Sequence, residues 1–163
     1  MPIYELSTRT AVADLVLGLR VDRAAALVTA ATVPLFSVKG GRVMMTGFVG
    51  EIVVAIPATA TTLQITHLTT EVTAVVTDLC LASADIQGYA PGRMFTLPAA
   101  VGSVLTVSTG SSAAVFGTTG GAPFYVLKVG SLQLVGSAAP ATGTIKWSMW
   151  YHPIDAGAYV EAA

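Results

Sequence analysis

Short runs of strand-favouring residues, broken by glycine or proline about every ten positions, dominate this 163-residue chain from residue 32 onwards. The clearest run is 144–151, where apolar and mostly polar positions alternate. This period of two predicts a strand with one face in a core. Breakers at such spacing predict an all-β body of about eight to ten short strands, not alternating βα units. We therefore expect a β-sandwich, a jelly-roll-like fold or a barrel.

The other predicted strands follow the same pattern along the chain. Gly40 and Gly41 separate two short runs, 36–38 and 43–45, which predicts a two-residue hairpin because primed turns need positive φ. The remaining predicted strands are residues 48–56, 63–68, 72–82, 94–97, 104–108, 124–129 and 131–135.

Charge divides the chain into two parts. The first 23 residues carry six of its charged side chains, although the whole chain has only eight basic and nine acidic residues. We interpret residues 1–24 as an N-terminal arm and residues 25–163 as a single β domain. Val12, Leu15, Val16 and Leu19 fall at helical spacing, which predicts a short helix in the arm, with an extended arm as the alternative.

Composition narrows the possible partners. Charged residues make up 10% of the chain against 53% hydrophobic residues, and the net charge is −1. This balance excludes a basic nucleic-acid-binding protein and a polybasic membrane binder. We also expect no secretory signal and no transmembrane helix. Apolar surface that is not surrounded by charged side chains is usually covered by a partner. The low proportion of charged residues therefore favours a component of a protein assembly.

Residues suited to catalysis are few and scattered. His67 and His152 are the only histidines, and the single cysteine, Cys80, lies in an apolar run typical of a buried small side chain. We predict no catalytic residue, no metal site and no cofactor. The alternative of a jelly-roll enzyme would need a metal held by His67 or His152.

Aromatic residues gather near the C-terminus. Trp147 and Trp150 are three positions apart and would point to opposite faces of one strand. We predict that one fills the core while the other faces a partner or a sugar. A glycan platform would need several coplanar exposed rings, so core packing with subunit contact is the preferred interpretation.

Several segments, taken in order, resemble one family. They are ADLVLGL (13–19), VDRAAA (21–26), LFSVKGGRV (35–43), GFVGEI (47–52), DLC (78–80) and GTIKWSMWYHPIDAGA (143–158). Together they resemble capsid decoration, or cement, proteins of tailed bacteriophages. The resemblance covers most of the chain and consists of turn and strand patterns.

The resemblance implies a non-enzymatic virion protein on the outer surface of the head, made in the host cytoplasm. It would cement neighbouring major capsid protein subunits and stabilise the expanded shell. It would also form a homo-oligomer, with a trimer favoured over a dimer. We expect residues 1 to about 30 to reach neighbouring subunits. The candidate contact residues are Tyr4, Arg9, Arg20, Arg23 and Trp150. The alternative function is a receptor- or glycan-binding module of the head or tail.

Overall fold

An open sandwich of two antiparallel sheets forms the body of the protein. The computed structural model describes residues 17–70, 73–98, 100, 102–110 and 124–163, and within these it has eleven strands and no helix. The strands are β1 Leu19–Leu27, β2 Thr32–Lys39, β3 Val43–Val54, β4 Leu63–Thr69, β5 Val76–Asp78, β6 Met94–Thr96, β7 Thr106–Val107, β8 Tyr125–Leu127, β9 Gly130–Gly136, β10 Thr144–Pro153 and β11 Tyr159–Ala162. The all-β prediction is confirmed, and among its alternatives the structure is a sandwich and not a closed barrel.

Each sheet brings together strands that are distant in sequence. The first sheet has the order β1-β10-β3-β6-β7, and the short β8 also pairs with the long β3. The second has the order β11-β2-β9-β4-β5. No helix in these described segments is long and apolar enough to cross a membrane.

The core lies between the sheets and is built around β10. Its inward side chains are all buried, as the period of two predicts: Ile145, Trp147, Met149 and Tyr151. The Trp147 ring stacks on Phe48 of β3 with ring centroids 5.1 Å apart. Phe48 in turn meets Phe36 of the opposite sheet edge-on at 6.3 Å. Two sheets are thus joined through aromatic contacts, which add specific geometry to the area they bury.

Gly50 makes room for the Trp147 ring. It lies opposite Trp147 in the β3–β10 register, on the inner face. A Cβ atom at this position would lie 2.4 Å from Cζ3 of the indole, closer than two carbon atoms can pack. The glycine therefore lets the largest core side chain lie flat on the strand backbone.

The turn at Gly40 and Gly41 exists, but the predicted hairpin is wrong. Both glycines have positive φ, 73° and 151°. However, β2 pairs with β11 and β9, whereas β3 pairs with β10, β6 and β8. The turn therefore carries the chain from one sheet to the other. Two glycines indicate a tight reversal of direction, but they do not indicate whether the flanking strands then pair with each other.

A second crossing, from β10 to β11, lies against this turn. The Arg42 backbone N–H donates to Asp155 Oδ2 at 2.8 Å, and the guanidinium donates to both carboxylate oxygens at 2.9 and 2.8 Å. In return, the N–H groups of Ile154 and Asp155 donate to the Arg42 carbonyl. The two crossings form one corner, which we call the Arg42–Asp155 corner.

The end of the predicted arm is a strand. Residues 19–24 belong to β1, which pairs with β10 from Leu19 opposite Tyr151 to Leu27 opposite Thr144. Most of the predicted helix lies outside the described residues. Leu19, its last apolar position, begins β1, because pairing along β10 satisfies the backbone there.

Candidate functional site

Two of the five candidate contact residues meet on the outer face of the first sheet. Arg20 lies directly opposite Trp150, and Asp22 lies opposite Ser148. Arg20 stacks over the indole of Trp150, with its guanidinium carbon 5.1 Å from the ring centroid. Arg20, Asp22, Ser148 and Trp150 form what we call the β1–β10 patch. It combines a flat aromatic surface with opposite charges on an exposed edge strand.

Hydrogen bonds fix the polar groups of the β1–β10 patch. The Nε of Arg20 donates to Asp22 Oδ1 at 2.8 Å, and its Nη2 donates to the Ser148 hydroxyl at 3.3 Å. That hydroxyl donates to the same Asp22 oxygen at 2.6 Å. Arg20, Asp22 and Ser148 therefore form a closed triangle that holds the guanidinium over the ring.

This triangle sets the ionisation of Asp22. Partial burial acts to raise the pKa of the carboxyl group, but the hydrogen bonds from Ser148 and Arg20 outweigh it. The net effect is a pKa below the ordinary value of 3.8. Asp22 is thus a fixed negative charge at neutral pH, two residues from the fixed positive charge of Arg20.

The next row of the same face holds a second ion pair. Lys146 of β10 lies opposite Glu51 of β3, with Nζ 2.8 Å from Oε2. Both side chains are substantially exposed, so water and salt screen the attraction and the pair contributes little to stability. The pair places a positive charge on β10 and a negative charge on β3 at fixed positions of the outer face.

The third candidate, Arg23, has a different place. It lies opposite Trp147, an inward-facing residue, and its Nε donates to the carbonyl of Ala163 at 3.3 Å. Burial lowers the pKa of the guanidinium relative to its usual value, although it stays far above neutral. Arg23 therefore links β1 to the end of the chain after β11. Tyr4 and Arg9 lie outside the described residues.

Arg20 and Trp150 were each predicted from the sequence as contact residues, but their contact with one another was not. Their partners Asp22 and Ser148 were not predicted either. The two strands are 126 residues apart at the Asp22–Ser148 pair, and only their register brings the four side chains together. The one usable signal was the alternation along residues 144–151, which places Ser148 and Trp150 on the same face.

Large apolar side chains remain exposed around the sandwich. One group lies at an end of the first sheet, where Leu27 and Val54 flank Thr144 on β10 and Val53 adjoins them. Another lies on β8 and just before it, where Phe124 is 65% exposed and Val126 is 57% exposed. Leu81 and Val104 form a third exposed pair across an isolated bridge. Such groups are suited to contact with another protein surface.

Of the three side chains considered for catalysis, His67 and Cys80 lie inside the sandwich, whereas His152 is half-buried on the outer face of β10. His67 is buried, its Nε2 is 3.1 Å from the carbonyl oxygen of Lys128, and burial lowers the pKa of the imidazole. The Cys80 thiol is fully buried, and burial raises its pKa to about 11. A thiol with that pKa is protonated at neutral pH and is a weak nucleophile. Among the described residues, no group of three or more His, Cys, Asp or Glu side chains could hold a metal ion.

Comparison with known proteins adds no relative. No protein-family model matches the chain, and no curated protein or solved structure matches it either. The resemblance to capsid decoration proteins therefore stays a prediction from the sequence segments.

Proposed function

We propose that this protein is a non-enzymatic structural component of a tailed-phage virion. It binds the outside of the head and cements neighbouring major capsid protein subunits. The observation that carries the proposal is the surface of the sandwich: exposed apolar groups such as Phe124, Val126 and Leu27, on a chain in which only 10% of residues are charged. A surface of this kind is stable in water when a partner covers much of it.

Mass action explains how such a protein would stabilise a shell. A protein that binds the expanded lattice better than the unexpanded one shifts the equilibrium towards expansion. Its differential affinity sets the size of that shift. Self-association raises the effect, because a homo-oligomer that touches several capsid subunits gains avidity without any new kind of contact. The resemblance favours a trimer over a dimer.

The sandwich and the N-terminal segment have separate parts in this proposal. The body supplies a rigid surface, since its core is packed through Trp147, Phe48 and Phe36. Residues 1–16 supply the reach to neighbouring subunits. Residues 19–24, which the sequence assigned to the arm, belong to β1 and therefore to the body.

Binding to heads tests the proposed function. The purified protein would be mixed with expanded and with unexpanded heads of the phage that encodes it, and the bound fraction would be measured by sedimentation. We expect binding to expanded heads, together with retention of packaged DNA at a higher temperature. Equal binding to both kinds of head, or binding to neither, would contradict the proposal. In that case a tryptophan fluorescence response to sugars would favour the receptor- or glycan-binding alternative.

The role of the arm needs a deletion that spares β1. Removing residues 1–24 would delete the first six residues of β1. A loss of head binding could then come from a damaged fold and not from the loss of contacts made by the arm. Removing residues 1–16 leaves β1 complete. We expect this shorter chain to keep its thermal midpoint but to occupy fewer sites on expanded heads. Full occupancy with unchanged heat resistance of the heads would rule out a contact role for residues 1–16.

A further inference from the structure

β1 is the longest edge strand of the sandwich. It pairs with β10 on one side, and no strand of the described residues pairs with its other side. The other strands at sheet edges, β5, β7, β8 and β11, are two to four residues long, whereas β1 has nine residues. A long open edge presents unpaired N–H and C=O groups and is a template for another strand.

The first five residues of β1 form the regular part of this edge. The register with β10 is continuous from Leu19 to Arg23 and shifts between Arg23 and Ala26, where a bulge or irregularity occurs. Gly18, with a φ of 86°, ends the extended backbone on the other side. The open stretch is therefore residues 19–23. Its apolar Leu19 is 48% exposed although it lies opposite the buried Tyr151.

The order of charges on this stretch is self-complementary. Arg20 and Asp22 both point to the outer face, with Val21 between them. When two copies of the stretch pair antiparallel about a twofold axis at Val21, Arg20 of each copy faces Asp22 of the other. Shifting the register by two residues either way places Asp22 against Asp22 or Arg20 against Arg20. Like charges directly opposite destabilise a strand pair, so the charges select one register.

We propose that a second copy of this chain covers the edge, with β1 pairing antiparallel to β1 about a twofold axis at Val21. The two first sheets then form one continuous sheet across the interface. On the outer face, Arg20 and Asp22 of the two copies form a ring of four alternating charges beside Trp150. On the inner face, Val21 meets its symmetry mate and Leu19 lies against the aliphatic part of Arg23.

This inference does not depend on the capsid role. Twofold pairing produces a dimer, whereas the resemblance favours a trimer. Either oligomer is compatible with binding to a shell. Failure of the pairing would therefore leave the head-binding experiment untouched, and failure to bind heads would leave the pairing untouched.

A cysteine at the axis gives a direct test. Residues opposite each other in an antiparallel pair have Cα atoms about 4.5–5.5 Å apart, within the range of a disulfide. We expect Val21→Cys to form a disulfide-linked dimer under mild oxidation. Gln87→Cys is the control, because Gln87 is exposed between β5 and β6 and belongs neither to this edge nor to the exposed apolar groups described above. The native Cys80 is buried and gives no background.

Exchanging the charges tests the register by a second route. Arg20→Asp and Asp22→Arg each place like charges opposite one another, so we expect either to weaken the dimer by about tenfold. The double exchange restores opposite charges and should bring the dimer back above either single variant. All three changes lie on the exposed face, so the core is kept. A monomeric or trimeric wild type, a Val21→Cys variant that does not cross-link, or a dimer indifferent to the single exchanges would overturn the proposal.

Discussion

The two faces of β10 differ in what their tryptophans do. On the inner face, Trp147 is 1% exposed and packs between Phe48 and Phe95, with ring centroids 5.1 and 5.9 Å away. On the outer face, Trp150 lies beneath the guanidinium of Arg20, which hydrogen bonds to Asp22 and Ser148 hold in place. One strand thus carries a core residue and a surface residue of the same type, three positions apart.

The difference separates stability from recognition. Inner-face side chains exclude water and join the two sheets, so their loss should lower the free energy of unfolding. Outer-face side chains hold a fixed arrangement of charge and ring on an exposed surface, so their loss should alter association and leave folding nearly unchanged.

Removing the inner tryptophan should have the largest effect. We expect Trp147→Ala to lower the free energy of unfolding by about 3–5 kcal/mol, because it leaves a cavity between the rings of Phe48 and Phe95. Trp150→Ala is the matched control and should cost no more than about 1 kcal/mol. Denaturant unfolding of both variants gives the comparison. Similar losses for the two would contradict the division between the faces.

Adding a methyl group at Gly50 should lower the free energy of unfolding less than removing the Trp147 ring does. Gly50→Ala would place a methyl group 2.4 Å from the Trp147 ring, so we expect a loss of about 1–3 kcal/mol. Gly110→Ala is the control, since a Cβ there meets no atom within 4 Å. It should change the free energy of unfolding by no more than about 0.5 kcal/mol. Thermal unfolding checks both, and a neutral Gly50→Ala would show that the ring shifts freely.

The buried imidazole of His67 should make the thermal stability of the protein fall in mild acid. Burial lowers the pKa of His67 below its ordinary value of 6.5, so the unfolded chain binds the proton more readily than the folded one. The contribution of the neutral imidazole to the free energy of unfolding is therefore fully present above about pH 6.5. It is lost as the pH falls from there towards the lowered pKa of His67. We expect the thermal midpoint to fall between pH 7.5 and pH 5. His67→Gln keeps a donor for the Lys128 carbonyl and should flatten that slope, and equal slopes would exclude His67 as the cause.

The Arg42–Asp155 corner should respond only at much lower pH. Hydrogen bonds from the Arg42 side chain and backbone lower the pKa of Asp155 to about 2 from 3.8. The carboxylate's contribution is therefore complete above about pH 4 and is lost as the pH falls through about 2. Asp155→Asn should reduce the thermal midpoint slightly at pH 7 and weaken its fall between pH 4 and pH 2. Arg42→Gln removes the two guanidinium bonds but keeps the backbone N–H bond to Asp155, so it should weaken that fall less than Asp155→Asn does. An undiminished fall in Asp155→Asn would assign the effect to other groups.

Local patterns in the sequence predicted much of the body but not its connections. The alternation along residues 144–151 correctly assigned each side chain of β10 to a face, because the period of two is a property of any strand. The hairpin at Gly40 was wrong, since which strands pair is decided by the packing of two sheets. β1 was missed because Leu19 continues a helical spacing, whereas its partner Tyr151 is far along the chain.

The candidate surface was predicted in pieces. Arg20 followed from the concentration of charge near the N-terminus, and Trp150 followed from the strand pattern. Their stacking and the triangle with Asp22 and Ser148 depend on the β1–β10 register, which no local pattern contains. The same is true of the self-complementary edge, which requires knowing that β1 lies at the margin of its sheet.

Solution mass tests most directly whether the sparsely charged surface serves assembly. Size exclusion with light scattering would be run on the purified protein over a wide range of concentrations. We expect an oligomer, and the β1 pairing predicts about twice the 16.6 kDa mass of one chain. A particle of 16.6 kDa at every concentration would contradict self-association through any of these surfaces.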